Sequence, residues 1–133
     1  MHTLSVAGDL VVNYSLDPLA RIVYIAYPSN PTYEEWAAMM EAIFQEAQYA
    51  PGWGFLADRR SLTEAPSKDF IESALRFVSS HQTELAGARW ASVVSGPAAY
   101  GMVRMGQALA DELLKVGVFT DLGEAREWLE RGA

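Results

Sequence analysis

Cysteine is missing from all 133 residues. That one absence removes disulfides, thiolate nucleophiles and cysteine-ligated metals together, and it fits a reducing compartment. Basic charge is also scarce. Ten Lys and Arg stand against 17 Asp and Glu, the net charge is −7, and the longest basic run is Arg59-Arg60. Such a surface repels phosphate backbones and anionic lipid, so no nucleic-acid partner is expected. No apolar run approaches the roughly 20 residues of a membrane span. The segment "MHTLSVAGDLVVNYSL" lacks a basic region leading into an apolar one, so no secretory signal is read and a cytoplasmic location is expected.

Catalytic motifs are missing in turn. Gly96 and Gly101 have Walker-type separation, but Met102 and Val103 stand where Lys and Ser/Thr would hold phosphate and magnesium. No G-x-G-x-x-G occurs. Ser95 follows an apolar run, yet Val93 occupies the place of the glycine that a nucleophile elbow requires. The histidines, His2 and His81, have no H-x-x-x-H spacing, so neither a metal nor any other cofactor is expected. His81 suits the end of a helix, where a cation favours the dipole. No enzyme is expected from this inventory.

What is present is ordinary globular chemistry: 50% hydrophobic and 20% charged residues, one domain over 1–133. "DLVVNYSLDPLARIVYIAYP" reads as two strands joined at Leu16–Leu19. Thr32 and Glu35 form a capping box for a helix whose inward face is Tyr33, Trp36, Met40, Ile43, Phe44 and Ala47. "WGFLAD" is a strand, and Ser67 caps a helix that buries Phe70, Ile71, Ala74, Leu75 and Val78. "RWASVVS" is the next strand. Pro97 opens a third helix with Met102, Met105, Leu109 and Leu113 inward, and close packing is the preferred reason for Gly101 and Gly106. "KVGVFT" is the last strand. Asp121 caps the last helix, which packs through Leu122, Ala125, Trp128 and Leu129. The expected fold is α/β: a mixed, mostly parallel sheet of about five strands with an N-terminal antiparallel pair and about four helices.

The loop "ADRRSLTEAPS" follows a central strand, and ligands of open α/β sheets collect beyond the carboxyl ends of strands. Two readings of it stand. Arg59, Arg60, Ser61 and Thr63 could form an anion site or a phosphorylation site beside arginines. Alternatively Asp58 is tied to an arginine such as Arg104 in a structural ion pair. Met39, Met40, Met102 and Met105 similarly either fill a core or line an adaptable pocket.

"GFLADRRSLTEAPS", "RWASVVSGPAAYGMVRMG" and "VGVFTDLGEAREWL" together resemble the SpoIIAA-like domains of the STAS superfamily, over roughly residues 20 to 130. The resemblance implies a β-α superhelical sheet shared with CRAL/TRIO lipid-transfer domains, and a role that is mostly non-enzymatic. It points to Asp58, Arg59, Tyr100, Gly101 and Arg104. Antagonists of that superfamily carry a phosphorylatable serine in Asp-Ser-Ser-Gly, for which the nearest counterpart is Ser61 in Asp58-Arg59-Arg60-Ser61. The leading expectation is a regulatory or protein-interaction module. The alternative is a binder of a small apolar or amphipathic ligand, with Arg59 or Arg104 receiving an anionic end. A homodimer is expected, since an apolar sheet face left uncovered would mark a partner surface.

Overall fold

The computed structural model describes residues 2–6, 10–110 and 112–131. Its elements are β1 (His2–Val6), β2 (Leu10–Asp17), β3 (Ile22–Ala26), α1 (Tyr33–Phe44), β4 (Gly54–Asp58), α2 (Lys68–Ser80), β5 (Arg89–Val93), α3 (Pro97–Ala110), β6 (Lys115–Phe119) and α4 (Leu122–Arg131). The strands form one sheet in the order β1-β2-β3-β4-β5-β6. β1, β2 and β3 pair antiparallel, and β3 through β6 run parallel. This is the α/β architecture expected, with β1 as one more strand on the antiparallel edge. The β2–β3 turn, residues 18–21, lies two residues later than expected, because β2 continues through Asp17. There the Asp17 carboxylate accepts from the Ala20 N–H, and Arg21 takes a left-handed φ of 56°.

Three of the four helices start where their caps place them. Thr32 and Glu35 make the full capping box, Ser67 accepts from the Phe70 N–H, and Asp121 accepts from the Glu124 N–H. These bonds satisfy backbone donors that a helix N-terminus leaves without intrahelical partners. His81 stands at the C-cap of α2, its Nδ1 2.8 Å from the Phe77 carbonyl oxygen.

The sheet separates two apolar layers. On the front, Val23, Ile25, Phe55 and Ala57 pack with Trp36, Met39, Met40 and Ile43 of α1 and with Phe77 and Val78 of α2. On the back, Ile22, Leu56, Ala91 and Val93 pack with Ala125 and Leu129 of α4. Successive crossovers of one hand put α1, α2 and α3 on one side and leave the other to α4. α4 therefore covers apolar sheet surface that was expected to need a partner.

Two helix faces depart from the periodicity reading. α1 ends at Phe44, and Ala47 lies exposed beyond it, because residues 45–48 turn and bring Tyr49 back onto Phe55. On α3 the buried residues are Val103 and Ala110, whereas Leu109 is 52% exposed and Met102 and Met105 are half-buried. A segment as uniformly apolar as "PAAYGMVRMGQALA" has no single obligatory stripe, so its neighbours choose the face. Close packing requires neither glycine of α3: a Cβ added at Gly106 would make ordinary contact 3.4 Å from Ile71 Cγ2, and one added at Gly101 would meet nothing within 4 Å.

Candidate functional site

The front layer is not filled. A cavity with about 110 Å³ of free space, partly open to solvent, lies between α1, α2, α3 and the sheet. Trp36 and Met40 come from α1. Phe70, Ile71, Ala74, Leu75 and Val78 come from α2. Val103, Gly106 and Ala110 come from α3, and Trp90 and Val116 from the floor. Its local cause is the size contrast of the lining. Trp36 stands edge-on to Phe70 and Phe77, with ring centroids 5.9 and 5.3 Å away, and packs 6.2 Å from Trp90. These rings hold α1 and α2 off the floor where Ala57, Ala74, Gly106 and Ala110 supply little volume to fill the gap.

Arg59 is the charged member of this lining. Backbone alternation explains its direction. Phe55 and Ala57 of β4 face the front, and the chain stays extended for one more residue because the Arg59 N–H donates to the Val93 carbonyl at 2.8 Å. Arg59 is only 6% exposed. Its guanidinium sits 4.6 Å over the Tyr27 ring, and Nη2 donates to Asn30 Oδ1 at 2.5 Å. Asn30 in turn donates to the Glu64 carbonyl at 3.0 Å, which fastens the loop after β4 over the arginine. Nε has no partner. Among the described residues no carboxylate pairs with this guanidinium. Burial pulls its pKa below the usual arginine value, with the nearby Tyr27 opposing the shift. Burial likewise pushes the Tyr27 hydroxyl up.

Ser92 and Gln107 add polar groups to the lining, Gln107 with its Nε2 donating to the Val116 carbonyl at 2.7 Å. Ser92 pairs in register with Ala57, next to Arg59 on the same face, and is buried. Its Oγ accepts from the Trp90 indole N–H at 3.2 Å, which leaves its own proton free to donate.

The sequence candidates divide between the two sides of the sheet. Arg59 turns into the cavity. Asp58 turns the other way, and its carboxylate is held by Arg60, from Nε at 2.9 Å and Nη2 at 2.8 Å. Hydrogen bonding from Arg60 keeps the Asp58 carboxyl below its ordinary value. Its ion-pair partner is therefore the residue two positions on, not Arg104. Ser61 is exposed in the turn beyond. Tyr100 is half-buried on the first turn of α3, and Gly101 and Arg104 are exposed on the same helix. None of these three lines the cavity. The Ser95 hydroxyl donates to the Arg60 carbonyl at 3.0 Å, a loop-closing bond. Of the methionines, Met40 reaches the cavity, while Met39 is buried in the core.

Sequence reasoning passed over Tyr27, Asn30, Trp90 and Ser92. A signal did exist for two of them: Trp90 and Ser92 are alternate residues of one strand and so share a face. Among the described residues no cluster of His, Asp and Glu could hold a metal, and no helix is long and apolar enough to cross a membrane.

No family model and no curated protein matches the chain. Among solved structures, it is similar to an uncharacterized protein of the DUF3478 family with a SpoIIAA-like fold, from Shewanella loihica PV-4. The two share 16% identity at a TM-score of 0.55, over 94% of this chain and 89% of that one. The likeness shows the fold: this chain has a SpoIIAA-like architecture.

Proposed function

We propose, from a SpoIIAA-like fold as the premise, that this is a non-enzymatic binding module for a small amphipathic molecule with an anionic end. The apolar part occupies the cavity between α1, α2, α3 and the sheet, and the anionic end meets Arg59. One observation carries the reading: a buried arginine lines an apolar cavity without a carboxylate partner among the described residues. Burying an ion without its counter-charge is costly, and a structure keeps such a group when something else supplies the charge. Its neighbour Arg60, by contrast, has Asp58 beside it.

The test is native mass spectrometry on gently purified protein, followed by the same sample denatured. The expected result is a non-covalent extra mass that leaves on denaturation. Bare protein that also fails to take up a hydrophobic fluorophore would overturn the reading.

A regulatory role has its own support in Ser61, exposed beside Arg60. A phosphate there would compete with Asp58 for the Arg60 guanidinium and so alter the loop covering Arg59. A covalent phosphate increment in the same spectra identifies that switch. We propose a cytoplasmic location and a homodimer as the quaternary state, two-fold assembly being the commonest for such chains. Light scattering that returned a 14.6 kDa monomer at micromolar concentration would remove the dimer.

A further inference from the structure

The size, shape and charge of the cavity narrow the ligand class, an inference that rests on the binding reading above. Size comes first. An apolar protein cavity of about 150 Å³ accepts benzene, so the 110 Å³ space, which is partly open to solvent, encloses a compact group of at most about six heavy atoms. Shape follows from the walls. Trp36, Phe70 and Trp90 present ring surfaces, and Met40, Val78 and Val103 close the space around a compact group. Charge is set by Arg59, the one cation in the lining. A monoanion neutralises it, whereas a phosphate dianion would carry an uncompensated charge into a low-dielectric interior. The donors also match. The unpartnered Arg59 Nε–H and the free Ser92 hydroxyl proton offer hydrogen bonds to the two oxygens of a planar carboxylate.

We infer that the ligand is a compact monocarboxylate, an aryl or short branched-chain acid, with its carboxylate on Arg59 and Ser92 and its body against Trp36 and Trp90. The small enclosed space disfavours long acyl chains, and the single positive charge disfavours phosphate esters.

The test titrates the native full chain with benzoate, benzamide, phenyl phosphate and palmitate, following tryptophan fluorescence and calorimetric heat. Benzoate is expected to saturate, and benzamide and phenyl phosphate to bind roughly 10- to 100-fold more weakly, the worth of a charge-assisted hydrogen bond. Palmitate is expected not to bind. Arg59→Gln should remove the preference for benzoate over benzamide. Gly106→Leu, which fills the α2–α3 side of the cavity, should abolish benzoate binding while circular dichroism shows an intact fold. Equal affinity for benzoate and benzamide on the native chain overturns the charge assignment, whether or not Arg59→Gln folds. Palmitate binding without benzoate binding overturns the size assignment. Both of these outcomes leave the cavity as a binding site. No binding by any of the four, together with a bare native mass, overturns the binding reading as well.

Discussion

On the back of the sheet a single helix leaves no room. α4 lies against Gly54 and Gly117, where an added Cβ would come within 3.0 Å of Leu129 Cδ2 and 2.7 Å of Phe119 Cε2. Arg89 finishes that face by stacking 3.8 Å from the Trp128 ring and donating to the Trp128 carbonyl. On the front, three helices with more aromatic surface enclose a cavity and a buried cation. Small residues under a single helix let backbones approach and the layer close. Large rings distributed over three helices set the spacing between them, and the small residues under that spacing leave a void. The layer under α4 thus closes, and the layer under α1, α2 and α3 does not.

The largest test of this contrast is a pair of truncations. Leu129→Ala on the closed face should cost about 2–5 kcal/mol, the range for deleting a buried leucine side chain. Leu75→Ala, at the edge of the existing cavity, should cost about 1 kcal/mol or less because the residue is only half-buried. Urea unfolding of both variants measures the difference, and equal losses would break the distinction between the faces.

Glycines give the second test. Gly117→Val should lose about 1–3 kcal/mol by overpacking against Phe119 and Trp128. Gly106→Ala should gain up to about 1 kcal/mol from helix propensity, its new methyl making ordinary contact with Ile71. Thermal melts that ranked the two in reverse would show that the front seam is the tighter one.

A third substitution separates function from stability. Arg59→Met keeps the volume and removes the unpaired buried charge, so the ligand-free protein should be unchanged or more stable by about 1 kcal/mol. Ligand affinity should fall in the same variant. A large loss of stability in denaturant would instead make Arg59 a structural residue held by Tyr27 and Asn30.

The smallest effect is expected at Asp58. Its folded carboxyl titrates below the ordinary value because Arg60 hydrogen-bonds its ionised form. Stability from this pair is therefore present above the unfolded pKa of roughly 4 and is lost as pH falls through the folded value. Asp58→Asn should flatten the acid side of the stability–pH curve, by under about 1 kcal/mol for so exposed a pair. An unchanged curve would leave Asp58 without a stabilising role.

Legibility followed the range of the interactions. Caps at Thr32, Ser67 and Asp121, the Pro97 start and the strand cores were all readable, because each rests on residues within a few positions of one another. The α4 face was readable for the same reason: Leu122, Ala125, Trp128 and Leu129 form a stripe among charges. The α3 face was not, since apolar residues surround that helix and only its neighbours distinguish Val103 from Leu109. The α2 stripe was correctly read as inward, but periodicity does not distinguish a filled interior from a cavity wall.

Arg59 and Arg60 show where local information stops. Identical side chains on consecutive residues take opposite fates, one buried over Tyr27 and one exposed on Asp58. The deciding bond is the backbone link from Arg59 to Val93, a residue on a neighbouring strand. By itself, then, the sequence determined the alternation of strands and helices from β2 onward, the helix starts and the mixed sheet, all products of local propensity and short-range hydrogen bonds. The cavity, its charge and the covering of the back face were decided by tertiary structure alone. They depend on the summed volumes and backbone register of segments far apart in the chain, which no local pattern encodes.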